Sequence, residues 1–258
     1  FPTRRSSDLY MKRKIKALLL ALIISSTASA QYQAVQNRPY TDLRTFHFGV
    51  TLGTHVQDIE LKNIGPQDIL YPDGTTKNSN ISVEQDRWDA GFHVGVLGEL
   101  RLSTHFQLRI APTMYFGTRH LILRDELEKA ATGKIIEQRQ ELKTAYISTP
   151  AELIFAAPRV NNHRPYVLLG FNPMINLSGK ESDYIKLKRY DAFAEIGIGC
   201  DFYLPFFKLR PELKFMYSLI NSIDANHIKN TKAENMIPYT HAVKEARTKM
   251  IALSFYFE

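Results

Sequence analysis

Between Tyr190 and Tyr217 the side chains fall into two alternating sets. Tyr190, Ala192, Ala194, Ile196, Ile198, Cys200, Phe202 and Leu204 make the first; Asp191, Phe193, Glu195, Gly197, Gly199, Asp201 and Tyr203 make the second, which is mostly acidic or glycine. Beyond Pro205 the alternation resumes, with Phe207, Leu209, Pro211, Leu213, Phe215 and Tyr217 set against Lys208, Arg210, Glu212 and Lys214. Successive side chains of a strand leave opposite faces, so a period of two predicts two strands joined by a tight turn. One face is continuously apolar. The other carries charges of both signs, with glycine where a crowded interior leaves no space.

The same pattern recurs along the chain. A first strand is predicted over 45–57, with Phe46, Phe48, Val50, Leu52 and Val56 opposite His47, Gly49, Thr51, Gly53, His55 and Gln57. The second, 87–102, sets Trp88, Ala90, Phe92, Val94, Val96, Leu100 and Leu102 against Arg87, Asp89, Gly91, His93, Gly95, Glu99 and Arg101. A third covers 106–116 and can be extended to Leu123; a fourth ends in 146–155, with Glu152 on its polar face; a fifth covers 166–177, with Asn172 and Asn176 opposite Val167, Leu169, Phe171 and Ile175. Strands six and seven are the opening pair, and 248–257 is the eighth. Residues 64–84, holding Gly65-Pro66, Pro72-Asp73-Gly74 and a Ser/Asn cluster, read as loop, as do 178–188 and the polar 221–245; 125–133 reads as loop or a short helical cap. Connections after odd-numbered strands are long or charged, and those after even-numbered strands are short. An even number of strands, each able to supply the 9–11 residues of a membrane crossing, predicts an all-β, eight-stranded, antiparallel up-and-down transmembrane barrel.

Energetics orient each strand. An Arg or Lys facing lipid at mid-membrane costs roughly 2–4 kcal/mol, so Arg87, Asp89, His93, Glu99 and Arg101 are expected in the lumen. With eight strands the lumen is wide enough only for side chains, and an unpaired charge there is costly. The expectation is a barrel filled by Glu/Asp and Lys/Arg pairs, not a pore. A soluble lipocalin-like barrel or sandwich, with the apolar set inside, has the same period. The aromatic-rich apolar face, the even count and the N-terminal segment favour the membrane.

That segment reads as an export signal. Met11-Lys-Arg-Lys-Ile-Lys16 is a basic start, 17–24 is an apolar run too short to span a bilayer as a helix, and Ala28-Ser-Ala30 suits signal peptidase. The expected division is a non-native, adapter-derived extension at 1–10, a signal peptide at 11–30, a polar periplasmic stretch at 31–44 and the barrel at 45–258. The net charge of +7 is mostly local: residues 1–30 hold six Lys/Arg and one acid, and taking that +5 from +7 leaves +2. A nucleic-acid partner is not expected. One cysteine, Cys200, excludes an internal disulfide.

The residues offer little chemistry. His47, His55 and His93 share the lumen face, but no spacing makes them converge on a metal, and hydrogen bonding is their expected role. Glu99, Glu152, Glu195, Asp201 and Glu212 could form an acid/base pair but are expected in salt bridges. Cys200 on the lipid face is a small hydrophobe. Gly197-Ile-Gly199 lacks the helix of a nucleotide loop, and Asn80-Ile-Ser82 is an idle sequon in an exported bacterial chain. His120 with Asp125 is the one rim pair resembling enzyme chemistry; His227 and His241 lie in the last loop. No catalytic, cofactor-binding or metal site, no cofactor and no small-molecule substrate is expected.

The run Cys200-Asp-Phe-Tyr-Leu-Pro-Phe-Phe-Lys-Leu-Arg-Pro-Glu-Leu-Lys-Phe215 resembles the PorT (SprT) family of outer-membrane β-barrel proteins. So do Tyr146-Ile-Ser-Thr-Pro150, Arg164-Pro-Tyr166 and the closing Leu253-Ser-Phe-Tyr-Phe257, and the likeness extends from about Pro39 to Glu258. The resemblance implies a non-enzymatic protein of the Gram-negative outer membrane serving type IX protein secretion, and in some bacteria gliding motility. Its partners would be outer-membrane lipid and other components of that system; the family brings no catalytic residues. The alternatives are a general small barrel for adhesion or envelope integrity, a rim-site barrel enzyme and a soluble lipocalin-like binder.

Overall fold

The computed structural model of the chain describes residues 35–127, 129, 133, 137–179, 183–224, 227 and 236–258. The expected extension at 1–10 and signal at 11–30 lie outside these residues, as does part of 125–133. Among the described residues thirteen strands form: β1 (Phe46–Asn63), β2 (Gln67–Leu70), β3 (Thr76–Ser79), β4 (Ile81–Gln85), β5 (Asp89–Arg101), β6 (Phe106–Ile110), β7 (Thr113–Asp125), β8 (Glu137–Ser148), β9 (Ala151–Ala156), β10 (His163–Asn176), β11 (Tyr190–Tyr203), β12 (Lys208–Ser218) and β13 (Val243–Phe257). β6 and β7 are one course broken at Ala111-Pro112; β8 and β9 are one course broken at Thr149-Pro150. Proline has no amide hydrogen for the ladder, so each break falls where pairing is interrupted.

Counted as courses, eight antiparallel strands close a ring: β1, β5, β6/β7, β8/β9, β10, β11, β12, β13 and back to β1. The closing pair runs from Val50 opposite Phe257 to Asn63 opposite Val243. Closure leaves no edge along the wall, which hydrocarbon requires of a spanning sheet.

The register places the two sets as the alternation predicts. Phe48, Phe92, Leu169, Ile196 and Ile198 are 57–74% exposed, while Arg109, Glu152, Asp201 and Arg210 are fully buried. A water-soluble barrel would reverse these faces; here the outer belt is apolar and the inside charged. Cys200 lies on the outer face, half-buried.

Glycine makes this interior possible. Gly199 lies opposite Tyr166 in the β10–β11 ladder, and a Cβ on Gly199 would stand 2.3 Å from the Tyr166 ring. That ring delivers its hydroxyl to Glu212, 2.7 Å away. Gly199→Val is therefore expected to destabilise the barrel by about 1–3 kcal/mol through overpacking, read as a lower urea midpoint for the purified protein in detergent.

The strands outrun the expected limits on one side. β1, β7, β8 and β13 continue past the belt at the end carrying the long loops, and there the chemistry of the two faces exchanges. Outward positions become charged: Asp58, Glu60 and Lys62 on β1, Arg247 and Lys249 on β13, Glu137, Arg139, Glu141 and Lys143 on β8. Lys249 pairs with Glu60 at 2.7 Å and Arg124 with Glu137 at 2.9 Å. Inward positions become apolar: Ile59, Leu121, Leu123, Leu142, Val243 and Ala246 pack with Ile81, Val83, Ile185, Leu187, Ile223 and Ala242.

Two loops are therefore shorter than expected. Residues 64–84 contain the β2–β3 hairpin and most of β4, which pairs with β7 from Ile81 opposite Asp125 to Gln85 opposite Leu121. Of 221–245, the last three residues belong to β13, after a helical turn at Ile237–Thr240. Arg87, expected in the lumen, precedes β5 and lies exposed at the rim, 3.0 Å from Asp89.

Candidate functional site

The lumen is the most elaborate part of the molecule, and it is filled in layers. Nearest the short turns is an ion network with every member almost wholly buried. Arg109 on β6 binds Glu152 on β9 at 2.9 Å and Glu212 on β12 at 2.8 Å. Arg210 on β12 binds Glu99 on β5 at 2.5 Å, Asp201 on β11 at 2.6 Å and the Glu258 side chain at 2.6 Å. Lys214 reaches Glu152 at 2.8 Å, and Lys208 pairs with Glu258. Two rings brace the cations: Arg109 lies 4.5 Å from the Tyr256 ring and Arg210 lies 4.9 Å from that of Tyr166. Charges in so dry a place are stable only when each is surrounded by counter-charge and hydrogen bonds. Each cation here touches carboxylates from different strands, so the network also ties the wall together across the lumen.

Above it is a layer of mostly uncharged polar and aromatic side chains, with Arg119 buried among them. Tyr115, Tyr146, Phe193, Met174, Met216 and Met250 pack together. Gln57 and the His55 ring are 2.6 Å apart, Arg119 donates to Gln57 at 2.8 Å, and His93 and Ser254 are 2.9 Å apart. Beyond that layer comes the apolar cap already described. An ion network, then a layer of amides and rings around Arg119, then hydrocarbon occupy the bore from one end to the other.

The short-turn mouth has its own cover, built from residues 35–44. Asp42 accepts a hydrogen bond from the Tyr203 hydroxyl of β11 at 2.6 Å and lies 3.5 Å from Arg164 of β10. Its carbonyl accepts from Arg101 of β5 at 3.2 Å. β5 and β11 are four courses apart in a ring of eight, so this one residue bridges opposite walls. Asn37 donates to the Tyr203 carbonyl at 2.9 Å, Arg38 to the Glu258 carbonyl at 2.8 Å, and Arg159, 3.7 Å over the Tyr203 ring, donates to the Asn37 carbonyl.

The family model described as outer membrane protein beta-barrel domain matches residues 30–224, well over half of the chain. The chain belongs to that family. Comparison with curated proteins gives no match. Among solved structures it is similar to Neisserial surface protein A, at 10% identity over 83% of this chain and 98% of that one, with a TM-score of 0.43. It is also similar to Ail, the attachment invasion locus protein of Yersinia pestis, in complex with the heparin analogue sucrose octasulfate, at 13% identity over 83% and 99% of the two chains, with a TM-score of 0.36.

As a member of this family the protein resides in the outer membrane, and the ends of the ring acquire directions. Short turns of such barrels face the periplasm and long loops face outward. The ion network therefore fills the periplasmic half of the bore, and residues 35–44 cover it from the periplasm. The apolar cap and its charged outer wall stand outside the cell.

The candidate residues from the sequence separate in this outer-membrane barrel. His47 lies 3.5 Å from Glu258 near the periplasmic mouth, while His55 and His93, with ring centroids 5.9 Å apart, belong to the middle layer. The three do not converge, and among the described residues no group of three or more His, Cys, Asp or Glu is placed to hold a metal ion. Glu99, Glu152, Asp201 and Glu212 enter the ion network as expected; Glu195 accepts from Asn172 at 3.3 Å. His120 does not meet Asp125. Its Nδ1 is 2.7 Å from Asp89 on the neighbouring strand, whereas Asp125 accepts from the Leu127 amide, because residues five apart on a strand leave opposite faces. The His227 ring nitrogen is 2.8 Å from the Asp183 carbonyl and that of His241 is 2.9 Å from the Ile237 carbonyl. What the alternation could not find is the mouth cover, since residues 35–44 have no period; Arg159 and Asn162, both outside regular strands, carry it.

Proposed function

We propose that this outer-membrane barrel is a non-enzymatic, PorT-like component supporting type IX secretion, the route by which cargo with a C-terminal sorting domain crosses the outer membrane. The observation that carries this reading is the resemblance of the 200–215 run, with its companions at 146–150, 164–166 and 253–257. In the fold, these stretches supply Asp201, Lys208, Arg210, Glu212, Lys214, Tyr166 and Tyr256 to one ion network, so the shared residues act together as one internal scaffold.

The bore of an eight-stranded barrel is wide enough only for the side chains that line it, so on this reading cargo does not travel through this barrel. Its contribution is made by surfaces: the periplasmic mouth, the outer wall in lipid, or the external cap. Deletion of the gene in a host that secretes type IX cargo should leave that cargo unprocessed inside the cell, and a plasmid copy should restore it. Normal secretion and processing in the deletion strain would remove this reading. The family-level alternative, a small barrel for adhesion or envelope integrity, would then stand, and shortening 64–80 or 225–235 should abolish attachment while leaving the ring intact.

A further inference from the structure

The two ends of the barrel differ in charge. In the described external segments (58–89, 118–127, 137–143, 183–189, 219–224 and 236–249), thirteen Lys/Arg face fourteen Asp/Glu. At the periplasmic end, 35–45, 101–105, 157–164 and 204–207 together hold five arginines, no lysine and the single acid Asp42. Glu258, the other acid nearby, is buried within the ion network.

Over this basic end the mouth cover displays large apolar side chains to water. Tyr40 is 79% exposed and Leu43 62%. Tyr40 has φ 66° and Arg38 φ 49°, the left-handed region that side chains other than glycine, asparagine and aspartate rarely occupy. Backbone strain of this kind persists only where surrounding contacts impose it. Here they do: the hydrogen bonds of Asn37, Arg38, Asp42 and Arg159 pin both sides of Tyr40. A segment serving only as a stopper would turn its aromatic ring inward. This one is held so that the ring faces the periplasm.

We propose that the covered mouth is a docking surface for an acidic segment of a periplasmic protein, one presenting an apolar side chain to Tyr40 and Leu43 and a carboxylate to the exposed Arg44. The position selects protein over lipid. Asp42, two residues from Tyr40, bonds to opposite walls and so sets this stretch across the mouth. Interfaces favour this combination, an exposed aromatic anchor beside an arginine that steers an opposite charge. The inference does not depend on the type IX reading, since any periplasmic partner would meet the same surface.

The test uses the full chain in nanodiscs of zwitterionic lipid and a fluorescent peptide of alternating glutamate and leucine, with a peptide of alternating lysine and leucine and phosphatidylglycerol vesicles as competing probes. The acidic peptide is expected to bind, and more weakly as salt is added. Tyr40→Asn keeps a residue that tolerates the left-handed backbone, and Arg44→Gln alters an exposed side chain. Each should weaken binding about 5–10-fold, as loss of an interface anchor does, with heat-dependent gel mobility unchanged. Equal binding of both peptides, parental affinity in both variants, or binding of the vesicles alone would overturn the proposal.

Discussion

Arg109→Ala is expected to destabilise the barrel sharply. Arg109 is fully buried, 2.9 Å from Glu152, 2.8 Å from Glu212 and 3.9 Å from Glu99. Its removal does not merely subtract a favourable contact. It leaves carboxylates from three strands facing one another away from bulk solvent, with Lys214 and Arg210 as the cations nearest them. Removing one partner of a buried ion pair typically costs 3–5 kcal/mol, against a net stability of about 5–15 kcal/mol for a whole domain. The fast-migrating form of the purified variant should therefore convert to the slow form at a lower temperature, and its urea midpoint should fall sharply. The origin of the loss is checked by adding Glu212→Gln alone to Arg109→Ala: this neutralises one stranded acid while leaving Glu152 to pair with Lys214, and should recover part of the loss. A parental midpoint for Arg109→Ala would show that the network contributes nothing, and that the wall's ladders alone hold the ring.

That network also marks where reading the sequence succeeds and where it stops. Alternation located all eight courses because each has one face in a uniform medium and one in a crowded polar interior, so period two survives along the strand. It located the lumen charges for the same reason: Glu99, Glu152, Asp201, Arg210, Glu212 and Lys214 all stand on the polar set. It stopped β1 at Gln57, six residues short of Asn63, and began β13 at Thr248, five residues after Val243. At those places the medium changes, not the strand. Past the belt the outward set meets water and the inward set meets the apolar cap, so the two sets exchange character while the backbone runs on. Read as composition, the exchange looks like the end of the pattern. Ile59 and Leu61 following Val56 on the opposite parity were the visible sign of it. The mouth cover left no such sign. Its bonds run from Asn37, Arg38 and Asp42 to residues 59 to 220 positions away, and local pattern holds no information about partners at that distance.

The exchange of faces supplies the second large expectation, which concerns the medium itself. Leu169 lies at the middle of β10's outer face, opposite Ile196 on β11, and is 64% exposed. Thr118 also points outward, on β7 opposite Lys143 of β8, but at the level where charged residues begin. In a water-soluble barrel both positions would be ordinary surface, and arginine at either would be nearly neutral. In a bilayer, depth separates them: about 2–4 kcal/mol for Leu169→Arg at the midplane, and about 0–1 kcal/mol for Thr118→Arg near the interface. Unfolding titrations in phospholipid vesicles should show that gap between the two variants. Leu121→Arg, three residues beyond Thr118, places a cation in the apolar cap, where Leu121 is fully buried, and should be destabilising although it lies outside the membrane. Outward at mid-belt and inward above it, arginine is excluded by hydrocarbon in both places, lipid in one and protein in the other. Equal, small effects at Leu169 and Thr118 would mean that the exposed belt is bathed in water, and the membrane assignment would fail with it.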